Sequence, residues 1–200
     1  MNRPPNSAHW SSEFGRFEGA PEVALLSSTD DTPWTVRFLD RFTFIDPAGR
    51  IWTVEPGFRS DGASVPRWAW TFIGGPLDGA YRDAVFIHDA ACAQAVHPWW
   101  IVHQVFYLGL RARDVSTWKA QVMFAAVYHF GPRWPWPSGT SALRERNALF
   151  TGSTLREDDF ERLVPVIRNR AQVGRPMSVP ELRMLNRRMV IDRSRRRLSA

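Results

Sequence analysis

Tyr81-Arg82-Asp83-Ala84-Val85-Phe86-Ile87-His88-Asp89-Ala90-Ala91-Cys92-Ala93-Gln94-Ala95 is the run that decides the fold. Its apolar residues follow helical spacing, so it reads as one amphipathic helix, reached from Leu77 and closed before Pro98. Adjacent helical residues point about 100° apart, so His88 and Asp89 address neighbouring parts of one pocket and not one atom. A neutral imidazole takes a proton from water near pH 7, and a carboxylate beside it holds a metal or orients a donor. Upstream, Ser60-Asp61-Gly62-Ala63-Ser64-Val65-Pro66 is a turn-forming loop with a carboxylate of its own.

Two further helices follow the first. Trp99 to Ala112 carries an apolar stripe of Val102, Phe106 and Leu110. The third is opened by Ser116 as N-cap, turns Val122, Ala125, Ala126 and Phe130 inward, and is stopped by Gly131-Pro132. Before the helices, Pro21 to Pro56 is rich in β-formers, with short runs at Val23–Leu26, Trp34–Leu39, Phe42–Ile45 and Arg50–Glu55. Asp46-Pro47-Ala48-Gly49 supplies the proline and glycine of a hairpin turn. Phe58 to Pro76 reads as loop. After the helices, Trp134-Pro135-Trp136-Pro137 marks a boundary, Thr154-Leu155-Arg156-Glu157 has capping-box spacing, and a last helix is expected from Ser178 to Arg193. Leu182, Leu185 and Met189 form its thin apolar face.

The predicted architecture is therefore α+β. Residues 1–16 form an extended arm. Residues 17–134 form a small N-terminal antiparallel β-sheet packed beside a three-helix core, and residues 135–200 a basic helical C-terminal extension. Ten tryptophans and thirteen phenylalanines promise an aromatic core or large contact surfaces. The single cysteine, Cys92, excludes an internal disulfide. A secretory signal is not expected, because the start lacks a charged region followed by an apolar run. No apolar run reaches the length of a membrane span.

Charge is unevenly placed. The chain carries +6, yet residues 141–200 hold fourteen arginines against seven acids, a balance of +7 that leaves −1 for residues 1–140. The expected partner- or anion-binding residues are Arg187, Arg188, Arg193, Arg195, Arg196 and Arg197. They suit phosphate backbones, anionic lipid headgroups or an acidic face of a neighbouring subunit. No helix-turn-helix, zinc-finger or RNA-recognition pattern accompanies them, so sequence-specific nucleic-acid binding is not expected.

From Phe17 to Trp134 the chain resembles an uncharacterised family of phage and prophage proteins. The resemblance is carried by Gly57-Phe58-Arg59-Ser60-Asp61-Gly62-Ala63-Ser64-Val65-Pro66-Arg67, by Ala84-Val85-Phe86-Ile87-His88-Asp89 and by Ala126-Val127-Tyr128-His129-Phe130-Gly131. It implies a phage or prophage origin. With the buried polar cluster, the Arg-rich helices and the Trp-Pro-Trp-Pro segment as subunit contacts, the expected role is a particle-associated structural or interaction protein, such as a tail or accessory component. Its partners would be other particle subunits, and its location the virion or the host cytoplasm during assembly. The order of loop Asp, helical His-Asp and a polar residue before Phe on the next helix is also remotely similar to prokaryotic phospholipase A2. That second resemblance implies a metal-dependent hydrolase of a lipid or cell-envelope ester. His88 would be the base and His103 its orienting partner, where the family has a carboxylate. Asp61, Asp89 and the backbone at Gly62 would hold the metal, Ca²⁺ first and Zn²⁺ as the alternative. From the residues alone, His88 and Cys92 lie four apart on one helical face and His103 on the partner helix. These are zinc-ligand types, with Asp61 or Asp89 as a fourth, while a buried Cys92 is equally a small hydrophobe. His88, Asp61 and Ser64 also fit a purely structural clasp.

Overall fold

The computed structural model describes residues 13–26, 35–61, 79–136 and 155–185. Among the described residues six strands precede five helices. The strands are β1 (Arg16–Glu18), β2 (Val23–Leu26), β3 (Thr35–Phe38), β4 (Phe42–Ile45), β5 (Ile51–Val54) and β6 (Arg59–Ser60). A single 3-10 turn, Gly79–Tyr81, leads into α1 (Arg82–Gln94). Then come α2 (Trp99–Ala112), α3 (Thr117–Phe130), α4 (Glu157–Gln172) and α5 (Val179–Arg183). The α+β class expected from the pattern is the class observed.

The strands make two antiparallel three-stranded sheets, ordered β1-β4-β5 and β2-β3-β6, where the sequence pattern predicts one. The difference lies in pairings between strands distant in the chain. β1 passes over its neighbours to pair with β4, Phe17 opposite Phe44, and β6 returns to β3, Ser60 opposite Val36. β6 also corrects the reading of Phe58 onward as loop. Period-two alternation holds within each strand: Val36 and Phe38, Phe42 and Phe44, and Trp52 and Val54 are buried while their neighbours face outward. The rings of Phe17 and Phe42 stack at 5.5 Å, and Phe38 meets Phe86 of α1 edge-on at 5.0 Å. Those contacts set the β-layer on the helices.

The β4–β5 turn is held by Asp46, which is buried. Its Oδ1 accepts from the amides of Ala48 (2.9 Å) and Arg50 (3.0 Å), and its Oδ2 from Arg50 Nε (2.7 Å) and Trp52 Nε1 (3.1 Å). Gly49 at φ +79 supplies the left-handed residue the turn requires.

Helices α1, α2 and α3 pack in sequence, and α1 also lies on β5 and β6. Gly109 of α2 sits where an added Cβ would lie 3.1 Å from Ala84 Cβ, so its missing side chain lets α1 and α2 approach closely. α3 is buried on every side from Ala120 to His129, the mark of a central helix. On its far side α4 presents Phe160, Leu163, Val164 and Ile167, a spacing of i, i+3, i+4, i+7. These residues, with Met177, Leu182 and Leu185, join the same core as the sheet and first three helices.

Helix ends follow the expected chemistry unevenly. α5 starts after Ser178, as expected, and Ser178 and Glu181 close a reciprocal capping box there. That helix ends at Arg183, however, and does not run on to Arg193 within the described residues. The box expected at Thr154 and Glu157 is not how α4 starts. Arg156 occupies the N-cap, and Glu157, Asp158 and Asp159 fill the first turn, where carboxylates meet the positive end of the helix dipole. Thr154 itself, Leu77, Met189 and the arm before Glu13 lie outside the described residues.

Candidate functional site

Three elements converge on the His-Asp turn of α1. β6 brings Ser60 and Asp61 to the helix, and Ser60 Oγ donates to Asp89 Oδ2 at 2.5 Å. Ser60 points inward because β6 alternates, which puts its hydroxyl in the interior beside a carboxylate that needs a donor. Asp61, next in the chain, is half-buried.

His88 points the other way, into the seam between α1 and α2, and is fully buried. Its Nε2 lies 2.8 Å from His103 Nδ1, and Cys92 Sγ, one turn further along α1, lies 3.7 Å from the same Nε2. The ligand atoms of His88, Cys92 and His103 all fall within 4.8 Å of one another. Aromatic rings wall the group, with Phe106 at 4.8 Å from His88 and Trp99 at 5.5 Å from His103. The structure thus brings His88 together with His103 and Cys92, and ties Ser60, the residue before Asp61, to Asp89. Gly62, Ser64 and all six tail arginines singled out above lie outside the described residues.

Electrostatics follow burial. Loss of hydration holds His88 down at about 3. His103 lies well below its ordinary value, chiefly through burial, then through the neighbouring imidazole, with Arg133 and Arg183 acting in the same direction. The Pro132 carbonyl opposes these, by more than either arginine adds, without a well-formed hydrogen bond to His103 Nε2. Burial pushes the Cys92 thiol up, and the Asp89 charge adds to that. At neutral pH the group is two neutral imidazoles and a thiol. A general base poised for water near pH 7 is a different object.

Sequence reasoning missed two features. Ser60 is one: it sits on a two-residue edge strand set by pairing with distant β3, which leaves no local signal in the sequence. Arg183 over the Tyr128 ring (5.5 Å) and Arg133 over Trp99 (4.8 Å) flank the His103 side of the site. Arg133 Nη2 also donates to the carbonyls of Tyr128 and His129, capping the end of α3. Trp134 Nε1 donates to the His97 carbonyl at 2.9 Å, so the first tryptophan of the Trp-Pro-Trp-Pro segment straps the α1–α2 connection.

His129 is a separate buried imidazole whose Nε2–H donates to the Leu182 carbonyl at 2.9 Å, joining α3 to α5. Burial lowers it from 6.5 to about 4. The unfolded chain therefore takes up the proton first as pH falls, so this contribution is complete above about 6.5 and is lost on descent toward about 4. Wild-type unfolding free energy should fall by about 2 kcal/mol more than that of His129→Gln between pH 6.5 and pH 5, at ~1.4 kcal/mol per pH unit. Denaturant titrations of both proteins check this, and parallel pH profiles would contradict it.

Comparison with known proteins gives relatives without a described activity. The chain is 41% identical over 121 residues to Uncharacterized protein y4jT of Sinorhizobium fredii, covering 60% of this chain and 35% of that protein. It is 39% identical over 93 residues to Uncharacterized protein y4iH of the same organism, covering 46% of this chain and 39% of that one. The chain thus spans well under half the length of either relative. No solved structure matches it. No helix among the described residues is long and apolar enough to cross a membrane. Residues 34–127, which contain β3 to β6, the His88–Cys92–His103 group and most of α3, match the family described as Protein of unknown function (DUF1353).

Proposed function

We propose that this protein is a structural or interaction component of a phage or prophage particle, in which the His-Asp turn is a joint of the fold. One observation carries the joint: the groups a hydrolase would need free are engaged with other parts of the chain. Asp89 Oδ2 accepts from Ser60, and fully buried His88 has its Nε2 against His103. A base that must reach water needs an open face, and a metal-binding carboxylate needs free oxygens. The likeness to phage and prophage proteins supplies the setting, and the arginine-rich C-terminal segment supplies a surface for other subunits or for phosphate.

A second reading, a metal-dependent hydrolase of a lipid or envelope ester, is favoured by one feature. Ser60 ties the strand that leads into Asp61 directly to Asp89.

Both readings meet one experiment. A lysogen carrying the gene is induced, its particles are banded on a density gradient, and the protein is followed by immunoblot. In parallel, purified protein is incubated with phosphatidylglycerol vesicles plus Ca²⁺ or Zn²⁺. The particle reading expects co-banding and no fatty-acid release. Protein absent from the particle band overturns it, and metal-dependent release lost in Asp89→Asn replaces it with the hydrolase.

A further inference from the structure

We propose that His88, Cys92 and His103 bind a zinc ion in the seam between α1 and α2. Donor chemistry selects the metal. Two imidazole nitrogens and a sulfur suit Zn²⁺, whereas Ca²⁺ takes oxygen ligands, so the nitrogen–sulfur group is not the calcium site that the phospholipase resemblance implies. The backbone sets the ligands out: His88 and Cys92 are one helical turn apart on α1, and His103 faces them from α2 across the close contact made at Gly109.

Two of the three separations are near what a tetrahedral ion requires. The third, between Cys92 and His103, reaches up to 4.8 Å and closes by about 1 Å as the side chains turn onto the ion. Bond lengths of about 2.0–2.1 Å to nitrogen and 2.3 Å to sulfur put nitrogens about 3.3 Å apart and sulfur about 3.6 Å from nitrogen. The Cys92–His88 separation of 3.7 Å already meets the second value. The imidazole separation of 2.8 Å must open by about half an ångström, a small rotation of two rings.

His103 supplies an independent sign. Its Nε2 is buried without a hydrogen-bond partner. Ligation through Nδ1 fixes the proton on Nε2, the edge on which the Pro132 carbonyl acts, and metal-bound histidines commonly donate their second N–H to a backbone carbonyl. On binding, Cys92 releases its thiol proton to solvent and ligates as thiolate. The cation then offsets both influences that oppose that thiolate, burial and the negative charge of Asp89. Among the described residues no fourth His, Cys, Asp or Glu joins the group.

This inference stands apart from the particle role, and its test reads metal and not hydrolysis. The full chain, purified through a tag without histidines and without chelators, is analysed for metal by inductively coupled plasma mass spectrometry. The stripped protein is then titrated with Co²⁺. One zinc per chain and a near-ultraviolet thiolate-to-cobalt absorption are expected. Cys92→Ser should abolish that absorption and weaken zinc binding more than about a hundredfold, with helical circular dichroism retained. If Cys92→Ser fails to fold, the wild-type cobalt spectrum decides. Absence of zinc from the purified protein together with no thiolate absorption on adding Co²⁺ overturns the site. Zinc that stays bound in folded Cys92→Ser and His103→Gln also overturns it.

Discussion

His88→Ala should lower the unfolding free energy by about 4 kcal/mol. Two terms add: truncating a large buried side chain leaves a cavity, typically costing about 2–5 kcal/mol, and the lost Nε2 leaves His103 Nδ1 without its partner. His88→Leu separates them. It refills most of the volume and keeps only the polar defect, so its cost should be about 1–3 kcal/mol. Urea unfolding of the three proteins gives the comparison. A cost below about 1 kcal/mol for His88→Ala would show that the seam between α1 and α2 does not depend on this side chain.

Asp83→Asn carries the second large effect. Asp83 lies in the first turn of α1, and Arg113 at the end of α2 meets its Oδ2 at 2.5 Å. The two side chains retain only 11% and 16% exposure, so the pair is mostly, not fully, withdrawn from water. Arg113 also lies over the Phe17 ring at 4.3 Å, so one guanidinium links α1, α2 and β1. Breaking a buried pair from one side commonly costs about 3–5 kcal/mol, because the remaining charge stays buried. Residual exposure places this case near ~3 kcal/mol. Asp83→Asn with Arg113→Met should recover part of the loss, since no charge is then stranded. Equal losses in the single and the double variant would point to packing by Arg113, and not its charge, as the stabilising contribution.

The helices were largely legible in the sequence because their determinants are local. Apolar periodicity placed α1, α2 and α3, Gly131-Pro132 stopped α3, and Ser178 opened α5. Individual strands were legible from alternation and from the Asp46–Gly49 turn. Their grouping was not, since β1–β4 and β3–β6 are chosen by packing between residues far apart in sequence. The site divides the same way. His88 and Cys92 share a helical face by spacing alone, and His103 falls opposite them once two adjacent helices form a hairpin. Ser60 was hidden, because nothing near position 60 announces that a two-residue edge strand will carry its hydroxyl to Asp89.

The Ser60–Asp89 bond is where the account is most exposed, since it makes Asp89 a joint between a sheet and a helix. A double-mutant cycle of Ser60→Ala and Asp89→Ala, each of which removes one partner of the bond, read by denaturant unfolding, isolates that bond from the separate cost of each change. A buried hydrogen bond to a charged group predicts a coupling of about 2 kcal/mol. Additivity within about 0.5 kcal/mol would mean that Asp89 is not committed to Ser60, and would contradict the joint.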